Sequence, residues 1–379
     1  MNDNRRAMEM NDEEQLHRRS GQHHHHHRKH TVRNVIIGII IAVIVAVLGY
    51  AAYFYFSAKN AIDSSYKSAG ETQSAKTVVD AHKPLSILLL GADTGAFGRN
   101  YQGRTDTMII ATINPSTKQT TLTSIPRDTM AQLVGADSFD YERINAAYEV
   151  GGSKVALKSV SALVNVPLQY YVTINMGGME KIVNAVGGVD ITPTLTFTYE
   201  GYTFTKGEQM HLDGKKALAY SRMRYDDPNG DYGRQTRQRE VITSIIKAAV
   251  STRTLTNFQD VLTQVSKNMT TNLAFDDMVS IFSKYRGYAE TIKSDHLQGV
   301  NAMWGAAMIQ IPSTTELQRV SDNLRSEMGL EKATLDNQET RQNKLNIANG
   351  FSFTSGNSSQ QFTVFSPNSD TEQWTKSSN

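Results

Sequence analysis

Residues 86–93, SILLLGAD, contain the stretch that decides the fold: the apolar run Ser86–Leu90, which stops at Gly91. Short apolar runs bounded by turn residues are typical of buried strands. Two similar runs follow. Thr107–Ile113 is rich in β-branched residues, and Thr120–Ile125 ends at Pro126. These three runs predict buried strands.

The rest of the pattern alternates strands with helices. Further strands are predicted at Gln169–Ile174 and Val189–Ile191. Apolar residues at helical spacing predict helices at Ser153–Val164, Met179–Val186, Lys215–Tyr220, Arg234–Val250, Phe258–Ser266, Phe275–Tyr288 and Thr314–Met328. Such alternation predicts the α/β class, with a single layered α/β/α domain built on a mixed central sheet.

An apolar run near the N-terminus, Val35–Phe56, contains no charged residue. About 20 such residues span roughly 30 Å of hydrocarbon as a helix. Tyr50, Tyr53 and Tyr55 cluster at its C-terminal end, as interfacial aromatic residues do. The run predicts one uncleaved transmembrane helix. A cleaved signal peptide is the alternative, although its apolar region is usually shorter, about 7 to 15 residues.

Charged residues before the span predict its orientation. Between positions 18 and 33 the chain has five basic residues and no acidic one. The positive-inside rule therefore predicts a cytoplasmic N-terminus and a single-pass protein of the cell membrane whose main domain is extracellular. The neighbouring tract His23–His27 is either a polar juxtamembrane segment or a metal-binding tract.

These observations predict five regions. They are a cytoplasmic tail (1–34), a transmembrane helix (35–56), an extracellular stalk (57–83), the main domain (84–332) and a flexible polar tail (333–379). The last region is rich in Ser, Asn, Gln and Thr and has few aliphatic residues. It therefore buries too little apolar area to offset the entropy of ordering.

The composition excludes several kinds of function. The 39 basic and 37 acidic residues nearly cancel, so no overall field favours nucleic acid as a partner. The absence of cysteine excludes disulfides and thiolate chemistry. No glycine-rich phosphate loop of the Walker type is present, so a nucleotide-driven mechanism has no support.

Residues 220–240, YSRMRYDDPNGDYGRQTRQRE, contain five arginines. Arg222 and Arg224 are two apart, so in an extended stretch both leave the same face, whereas Arg234 and Gln238 are one helical turn apart. Arg234 and Gln238 also continue the apolar stripe formed by residues 242, 245, 246 and 249, which predicts that they point inward.

An inward-pointing arginine is costly unless an anion meets it, and the guanidinium suits carboxylate or phosphate. The segment therefore indicates an anion site. Two structural alternatives remain open: a solvated basic helix face, or arginines paired with Asp226, Asp227 or Asp231.

Two aspartates accompany the first two strands. Asp93 follows the first, and Arg104 and Asp106 lie two apart just before the second. If these strands are neighbours, Asp93 and Asp106 meet and offer two carboxylates to one hard cation such as Mg²⁺, or another divalent cation such as Mn²⁺. The alternatives are a turn or helix cap at Asp93, and an ion pair between Arg104 and either aspartate.

The motif Ser124–Asp128, SIPRD, adds a further guanidinium. Pro126 ends a strand and places Arg127 on the loop that follows, with Asp128 either stabilising the turn or joining the site. Two acids for a divalent cation and up to five arginines for a phosphorylated group are the residue types of a diphosphate site.

Seven segments together resemble the LytR-CpsA-Psr family. In chain order they are LLLGADTG, GRTDT, SIPRD, INAAYEVGG, VGGVDI, LDGKKALAYSRMR and GDYGRQTRQ. The resemblance covers about residues 84–250 strongly and the flanking helices weakly. It implies that the main domain is a membrane-anchored, extracellular phosphotransferase. Such an enzyme moves a wall glycopolymer, a teichoic acid, capsular or related polysaccharide, from a polyprenyl-diphosphate carrier to a peptidoglycan hydroxyl.

The resemblance also implies roles for individual residues. Asp93 and Asp106 would hold magnesium. Arg104, Arg127, Arg222, Arg224 and Arg234 would bind the diphosphate, with Gln238 assisting. The first motif departs from the family pattern, because Gly95 stands where many members have an arginine.

Two kinds of alternative function remain open. One is a hydrolase that cleaves the lipid diphosphate with water. The other is a non-catalytic protein that binds lipid-linked glycan or acts as a transcriptional attenuator, an old interpretation of the family. The predicted topology argues against attenuation, because it separates the main domain from DNA by the membrane.

Overall fold

The computed structural model describes residues 43–50, 52–53, 55–60, 63, 65–70, 73–93, 102–251, 261, 265–266 and 268–367. The chain divides into two compact units, Met1–Phe56 and Ser57–Asn379. Of the predicted span, residues 43–50, 52–53 and 55–56 are described, and all are helical. Among the described residues, no helix combines the length and apolar character that crossing a membrane requires. The predicted cytoplasmic tail and its histidine tract lie outside the described residues.

The second unit contains helices and strands in alternation. Its first half comprises α1 (Ala75–Asp80), β1 (Leu85–Ala92), β2 (Thr105–Asn114), β3 (Gln119–Ser124), β4 (Met130–Gln132), β5 (Tyr141–Arg143), α2 (Ala146–Val164), β6 (Tyr170–Asn175), α3 (Met176–Ala185) and β7 (Val189–Ile191). Its second half comprises β8 (Phe197–Tyr199), β9 (Tyr202–Phe204), β10 (Met210–Leu212), α4 (Gly214–Arg222), α5 (Gly230–Ala249), β11 (Met269–Thr271), α6 (Phe275–Tyr285), β12 (Ile292–His296), β13 (Val300–Trp304), β14 (Ala307–Ile311), α7 (Thr314–Glu327) and α8 (Gln338–Ala348).

The largest sheet has six strands in the order β11-β6-β1-β2-β3-β12. Strand β1 runs antiparallel to β2 and parallel to β6, and β3 runs antiparallel to β2 and parallel to β12. The predicted α/β class and mixed central sheet are therefore confirmed. The predicted strands β1, β2, β3 and β6 form its centre, whereas the polar edge strand β12, with sequence IKSDH, has no apolar run that predicts it.

Alternate residues of the central strands belong to two different cores. Leu88 and Ile110 pack in a cluster with residues of α2 and α7. On the opposite face, Ala111 of β2 belongs to a cluster against which Leu89 and Ile242 of α5 pack. This division follows from the two-residue period of a strand. The second face is the one that carries the cavity described below.

A smaller core lies under α4 and α5. Strand β7 forms where Val189–Ile191 predicts it, but it pairs with β10 in a separate two-stranded sheet. Phe204 and Tyr220 are fully buried in this core, together with residues of α3 and α5. Its packing fixes the hairpin β8–β9 beside the C-terminal end of α4.

Residues 333–367 differ from the predicted flexible tail. They contain α8, and Phe351 and Phe362 are buried against β13 and β14. Buried amides satisfy the backbone: Gln342 hydrogen-bonds both the N–H and the carbonyl of Phe365 at 2.9 and 2.8 Å. A segment ordered by isolated aromatic residues and buried amides lacks the apolar periodicity that predicts structure. Residues 368–379 lie outside the described residues.

Part of the predicted stalk also packs on the domain. The backbone N–H of Lys67 donates to the carbonyl of Thr271 at 2.7 Å. Ala75 and Val79 of α1 are buried against the sheet and α6. Residues 66–70 and 73–83 are therefore structured against the domain rather than set apart from it.

Candidate active site

The topology of the sheet brings three of the predicted segments together at one end of its central strands. Because β2 is antiparallel to both β1 and β3, the end of β1, the start of β2 and the end of β3 lie together. Asp93, Asp106 and Arg127 follow or begin these strands. The backbone N–H of Asp93 donates to the carbonyl of Arg104 at 3.0 Å. The expected neighbourhood of the first two strands is thus confirmed.

A β-bulge sets the direction of Asp106. Gly91 pairs with Thr107 and Ala92 pairs with Thr105, so Asp106 is an extra residue on β2. In a regular strand, consecutive side chains point to opposite faces. Here Asp106 and Thr107 both line the same cavity. Bulges are common beside active sites because they redirect a side chain in this way.

The cavity has a volume of about 650 Å³ and combines two kinds of lining. We call its polar part the mouth, which consists of Asp106, Arg127, Arg222, Arg224, Arg234 and Gln238. We call its apolar part the interior, whose lining includes Ile87, Leu89, Ala111, Val172, Ile242 and Ile281. Tyr225 lies beside the mouth and is 90% exposed, so this end of the cavity is open to solvent. The cavity therefore suits an amphiphile with an anionic head and an apolar tail.

Helix α5 delivers Arg234 and Gln238 to the mouth. Both are buried, at 7% and 6% exposure, and they line the cavity with Ile242 and Ile245. The predicted inward stripe is confirmed, although the helix begins at Gly230 rather than near Arg234.

Arg234 is held in an environment that disfavours its charge. Arg234 Nη2 lies 2.7 Å from Asp231 Oδ1, but among the described residues neither Arg234 Nη2 nor Arg234 Nε has a hydrogen-bond partner. Burial lowers the pKa of Arg234; Asp231 opposes this shift, while Arg127 and Arg224 add to it. A buried guanidinium with unused donors, facing a cavity, is prepared for an anionic ligand.

Arg127 and Asp106 also line the mouth. Arg127 Nη1 lies 2.5 Å from Asp106 Oδ1, and Arg127 Nε lies 3.4 Å from Asp128 Oδ2. Burial acts to lower the pKa of Arg127, but the carboxylates of Asp106 and Asp128 outweigh it and hold this pKa above its ordinary value. Asp128 thus joins the site as a partner of Arg127.

Arg222 and Arg224 complete the mouth, but from a different local structure than the predicted extended stretch. Arg222 is the last residue of α4, and Met223 follows as its C-cap. Arg222 Nη1 lies 2.7 Å from Glu200 Oε1, and Arg224 Nε lies 3.9 Å from Asp231 Oδ1. Both arginines are partly exposed.

Arg104 and Asp93 are not among the described residues that line the cavity. Arg104 precedes β2, on the far side of the bulge from Thr107. Its Nη1 and Nε lie 2.8 Å from Glu142 and 2.7 Å from Glu149. The predicted pairing of Arg104 and Asp106 on one side is not seen in the cavity lining: Asp106 lines the cavity, whereas Arg104, which precedes β2, pairs with Glu142 and Glu149. Asp93 is half-buried at the end of β1; Gly95 and Arg99 lie outside the described residues.

The donor set at this end of the central strands fits a divalent cation that binds together with phosphate. Asp106 directs a carboxylate into the mouth, and its present partner is the guanidinium of Arg127, which shows that the position favours positive charge. Asp93 provides a second carboxylate at the same end of the strands. Magnesium is commonly held by one or two carboxylates, with substrate phosphates and waters as its other ligands. In the described ranges, no three acidic or histidine side chains converge as a metal site.

The acidic partners of the arginines are what the sequence interpretation missed. Glu142, Glu149 and Glu200 come from separate elements, so no local spacing connects them with the arginines. Asp231, considered only as a structural partner of an arginine, lies one helical turn before Arg234, and this spacing does signal a pair. Asp227, considered in the same way, pairs with the buried Arg237 in the core behind α5.

Comparison with known proteins agrees with this geometry. Residues 52–326 match the LytR_cpsA_psr family, and the chain belongs to this family. It is 44% identical over 294 residues to the polyisoprenyl-teichoic acid–peptidoglycan teichoic acid transferase TagU of Enterococcus faecalis, covering 78% of this chain and 96% of that protein. It is 36% identical over 322 residues to biofilm regulatory protein A of Streptococcus mutans, covering 81% and 79% of the two chains.

Solved structures show the same fold. The crystal structure of B. subtilis TagU superposes with a TM-score of 0.53 and 35% identity, covering 67% of this chain and 100% of that chain. A structure described as TagT bound to LIIa-WTA superposes with a TM-score of 0.56 and 25% identity, covering 69% and 95%.

Proposed function

We propose that this protein is a phosphotransferase that attaches a wall glycopolymer to peptidoglycan. The donor is a glycan linked to a polyprenyl diphosphate, and the acceptor is a peptidoglycan hydroxyl. One observation carries the proposal: a single cavity joins a mouth with four arginines to an apolar interior. A prenyl chain matches the interior, and a diphosphate matches the mouth. The transferase names of the relatives, TagU among them, support the same reaction.

The chemistry needs charge stabilisation and positioning more than covalent participation of the protein. The acceptor oxygen attacks the phosphorus that carries the glycan. The bond from this phosphorus to the bridging oxygen breaks, the prenyl monophosphate leaves, and the hydroxyl proton passes to solvent or to a nearby carboxylate. Arg127, Arg222, Arg224 and Arg234 neutralise the diphosphate, and Gln238 donates to its oxygens.

Asp106 and Asp93 would hold Mg²⁺, or Mn²⁺, beside the diphosphate. When bound, such an ion neutralises charge on the phosphate oxygens. If such an ion replaced Arg127 as the partner of Asp106, Arg127 would be free to turn towards the phosphate. Glu142 and Glu149 hold Arg104 outside the cavity lining, so Arg104 would have to leave these carboxylates to bind the diphosphate.

The location belongs to the same proposal. A single transmembrane helix with a cytoplasmic N-terminus places the main domain outside the cell, where peptidoglycan lies, and the membrane lipid supplies the donor. Nucleic acid has no role in this reaction. Which polymer is transferred, teichoic acid or a capsular or related polysaccharide, depends on groups outside the described site.

A hydrolase that uses water in place of the acceptor is the second candidate, because the same mouth stabilises both reactions. A regulatory or attenuating role without transfer is the third candidate. The name of the S. mutans relative, biofilm regulatory protein A, supports it. The acceptor separates the first two candidates, and turnover separates both from the third.

The test uses the full chain in detergent, because residues 333–367 pack into the domain. The protein is incubated with Mg²⁺, a polyprenyl-diphosphate-linked glycan and peptidoglycan oligomers, and glycan on the acceptor is measured by mass spectrometry. Asp106→Asn and Arg222→Ala should each lower transfer at least about 100-fold. Lys247→Ala, an exposed cation on the same helix as Arg234, is the matched control and should leave transfer unchanged. Donor cleavage without modified acceptor would indicate a hydrolase, and binding without turnover a non-catalytic protein.

A further inference from the structure

The tip of the β8–β9 hairpin places a glutamate where the backbone disfavours one. Tyr199 pairs with Tyr202, so Glu200 and Gly201 form a two-residue turn. Both have positive φ, at 49° and 81°. Two-residue turns of this kind favour Asn, Asp or Gly at the first position, because other side chains crowd the backbone there. A residue kept in a strained conformation beside a site points to a role in that site.

The base of the hairpin is rigid, so the position of the tip is fixed. The rings of Phe197 and Phe204 lie 4.8 Å apart, and each lies beside Tyr220, at 5.7 and 5.1 Å. Tyr199 lines the cavity itself. From this tip the carboxylate of Glu200 reaches Arg222 in the mouth, with Oε1 2.7 Å from Nη1.

Glu200 differs from the other acidic partners of the mouth arginines. The side chains of Asp106 and Asp231 are 30% and 14% exposed and belong to a strand and a helix. That of Glu200 is 42% exposed and belongs to a turn, beside Gly201, which has open space around it. Glu200 therefore can leave Arg222 by side-chain rotation alone, without breaking a core contact.

We propose that Glu200 is a positioning residue that competes with the donor for Arg222. The proposal rests on the function proposed above. The Glu200 carboxylate occupies the place of a phosphate oxygen on Arg222 between turnovers. The diphosphate of the incoming donor displaces it, and it returns when the prenyl monophosphate leaves. The residue thus holds donor affinity below the value that the arginines alone would give and promotes product release.

The test measures binding of farnesyl diphosphate to the full chain in detergent by calorimetry. Glu200→Gln keeps the length of the side chain and removes its charge, and it should tighten binding by about 2- to 5-fold, the range of an exposed ion pair. Glu200→Asn also removes the charge and suits the turn, so it should tighten binding equally without strain. Farnesol, which has no phosphate, should bind the three proteins alike.

Kinetics give a second readout that a purely structural role would not produce. In the transfer reaction, Glu200→Gln should lower the KM for the donor several-fold while kcat does not rise, because product release is slower. Weaker or unchanged farnesyl diphosphate binding in both variants would overturn the proposal, since Glu200 would then hold Arg222 for binding. Wild-type protein that binds farnesyl diphosphate no better than farnesol would instead remove the diphosphate site, and with it both proposals.

Discussion

The mouth of the cavity and the core behind α5 each contain a buried arginine, and the two arginines are three residues apart on one helix. Arg234 in the mouth is 7% exposed, and Arg237 in the core is 2% exposed. Arg237 uses both terminal nitrogens: it pairs with Asp227, it donates to the carbonyl of Met223, and its guanidinium carbon lies 5.4 Å from the Phe197 ring centroid. Arg234 shares one carboxylate with Arg224. Burial is therefore common to both, and each has an Nε without a hydrogen-bond partner among the described residues; Arg234 differs because it lines the cavity.

The largest expected effect on stability comes from replacing the arginine in the core. Arg237→Leu leaves the buried carboxylate of Asp227 without its cation, so the free energy of unfolding should fall by about 3–5 kcal/mol. The midpoint of thermal unfolding should fall by on the order of 10 °C. The double variant Arg237→Leu with Asp227→Leu should recover part of the loss, because no buried charge then lacks a partner. Equal loss in the single and double variants would show that the unpaired carboxylate of Asp227 is not the cause of the loss.

A buried acid in the C-terminal segment, Glu339, extends the comparison of buried charged groups to one whose burial makes stability depend on pH. Burial raises the pKa of Glu339 to about 7, although hydrogen bonds from the backbone, including that of Gln132, act to lower it. Because this pKa lies above the unfolded value of 4.5, the folded state holds more protons between these values, and stability falls as pH rises through the window. Glu339→Gln should remove this fall. At pH 8 its free energy of unfolding, measured with urea, should exceed that of wild type by up to about 3 kcal/mol.

The control for that prediction is the comparison at pH 4.5, where wild-type Glu339 is protonated in the folded state. The two proteins should differ little there. Parallel stability profiles from pH 4.5 to 8 would contradict the assigned pKa and would mean that Glu339 is ionised throughout.

The smallest effect on stability, with a clear effect on binding, is expected in the mouth. Arg234→Gln removes charged hydrogen bonds to phosphate, so the affinity for farnesyl diphosphate should fall by about 10- to 100-fold. The free energy of unfolding should change by less than about 1 kcal/mol, because Gln235 still donates to Asp231 at 3.0 Å and a crowded cation is removed. Calorimetry and urea unfolding measure the two quantities. A variant as unstable as Arg237→Leu would erase the distinction between the two arginines.

The sequence predicts the mouth better than its surroundings. Arg234 and Gln238 are predictable because an apolar stripe continues into them, and helical periodicity is a local property. Asp106 and Arg127 are predictable because buried strands end or begin beside them. The bulge at Asp106 is not, since it depends on how β2 pairs with β1. The separation of Arg104 from the cavity also follows only from the folded chain, in which Glu142 and Glu149 of other elements pair with it.

The C-terminal segment shows a second kind of limit. Phe351 and Phe362 are isolated aromatic residues in a polar sequence, and neither belongs to a periodic pattern. They become core residues because β13 and β14 offer a partly covered apolar face. Buried amides such as Asn346, which bonds both backbone groups of Thr363 at 2.8 Å, complete the packing. Composition detects neither complementary faces nor paired amides, so it predicts a flexible tail.

Because of the bulge in β2, part of the site depends on the number of residues in the strand as well as on their types. Asp106 and Thr107 face the cavity together only because one more residue lies on β2 than β1 opposes. Loss of a single codon from this stretch would let the strands pair continuously, and the two side chains would then point to opposite faces. The core would keep its apolar residues and the chain its family motifs, while the carboxylate and the arginines of the mouth would no longer meet.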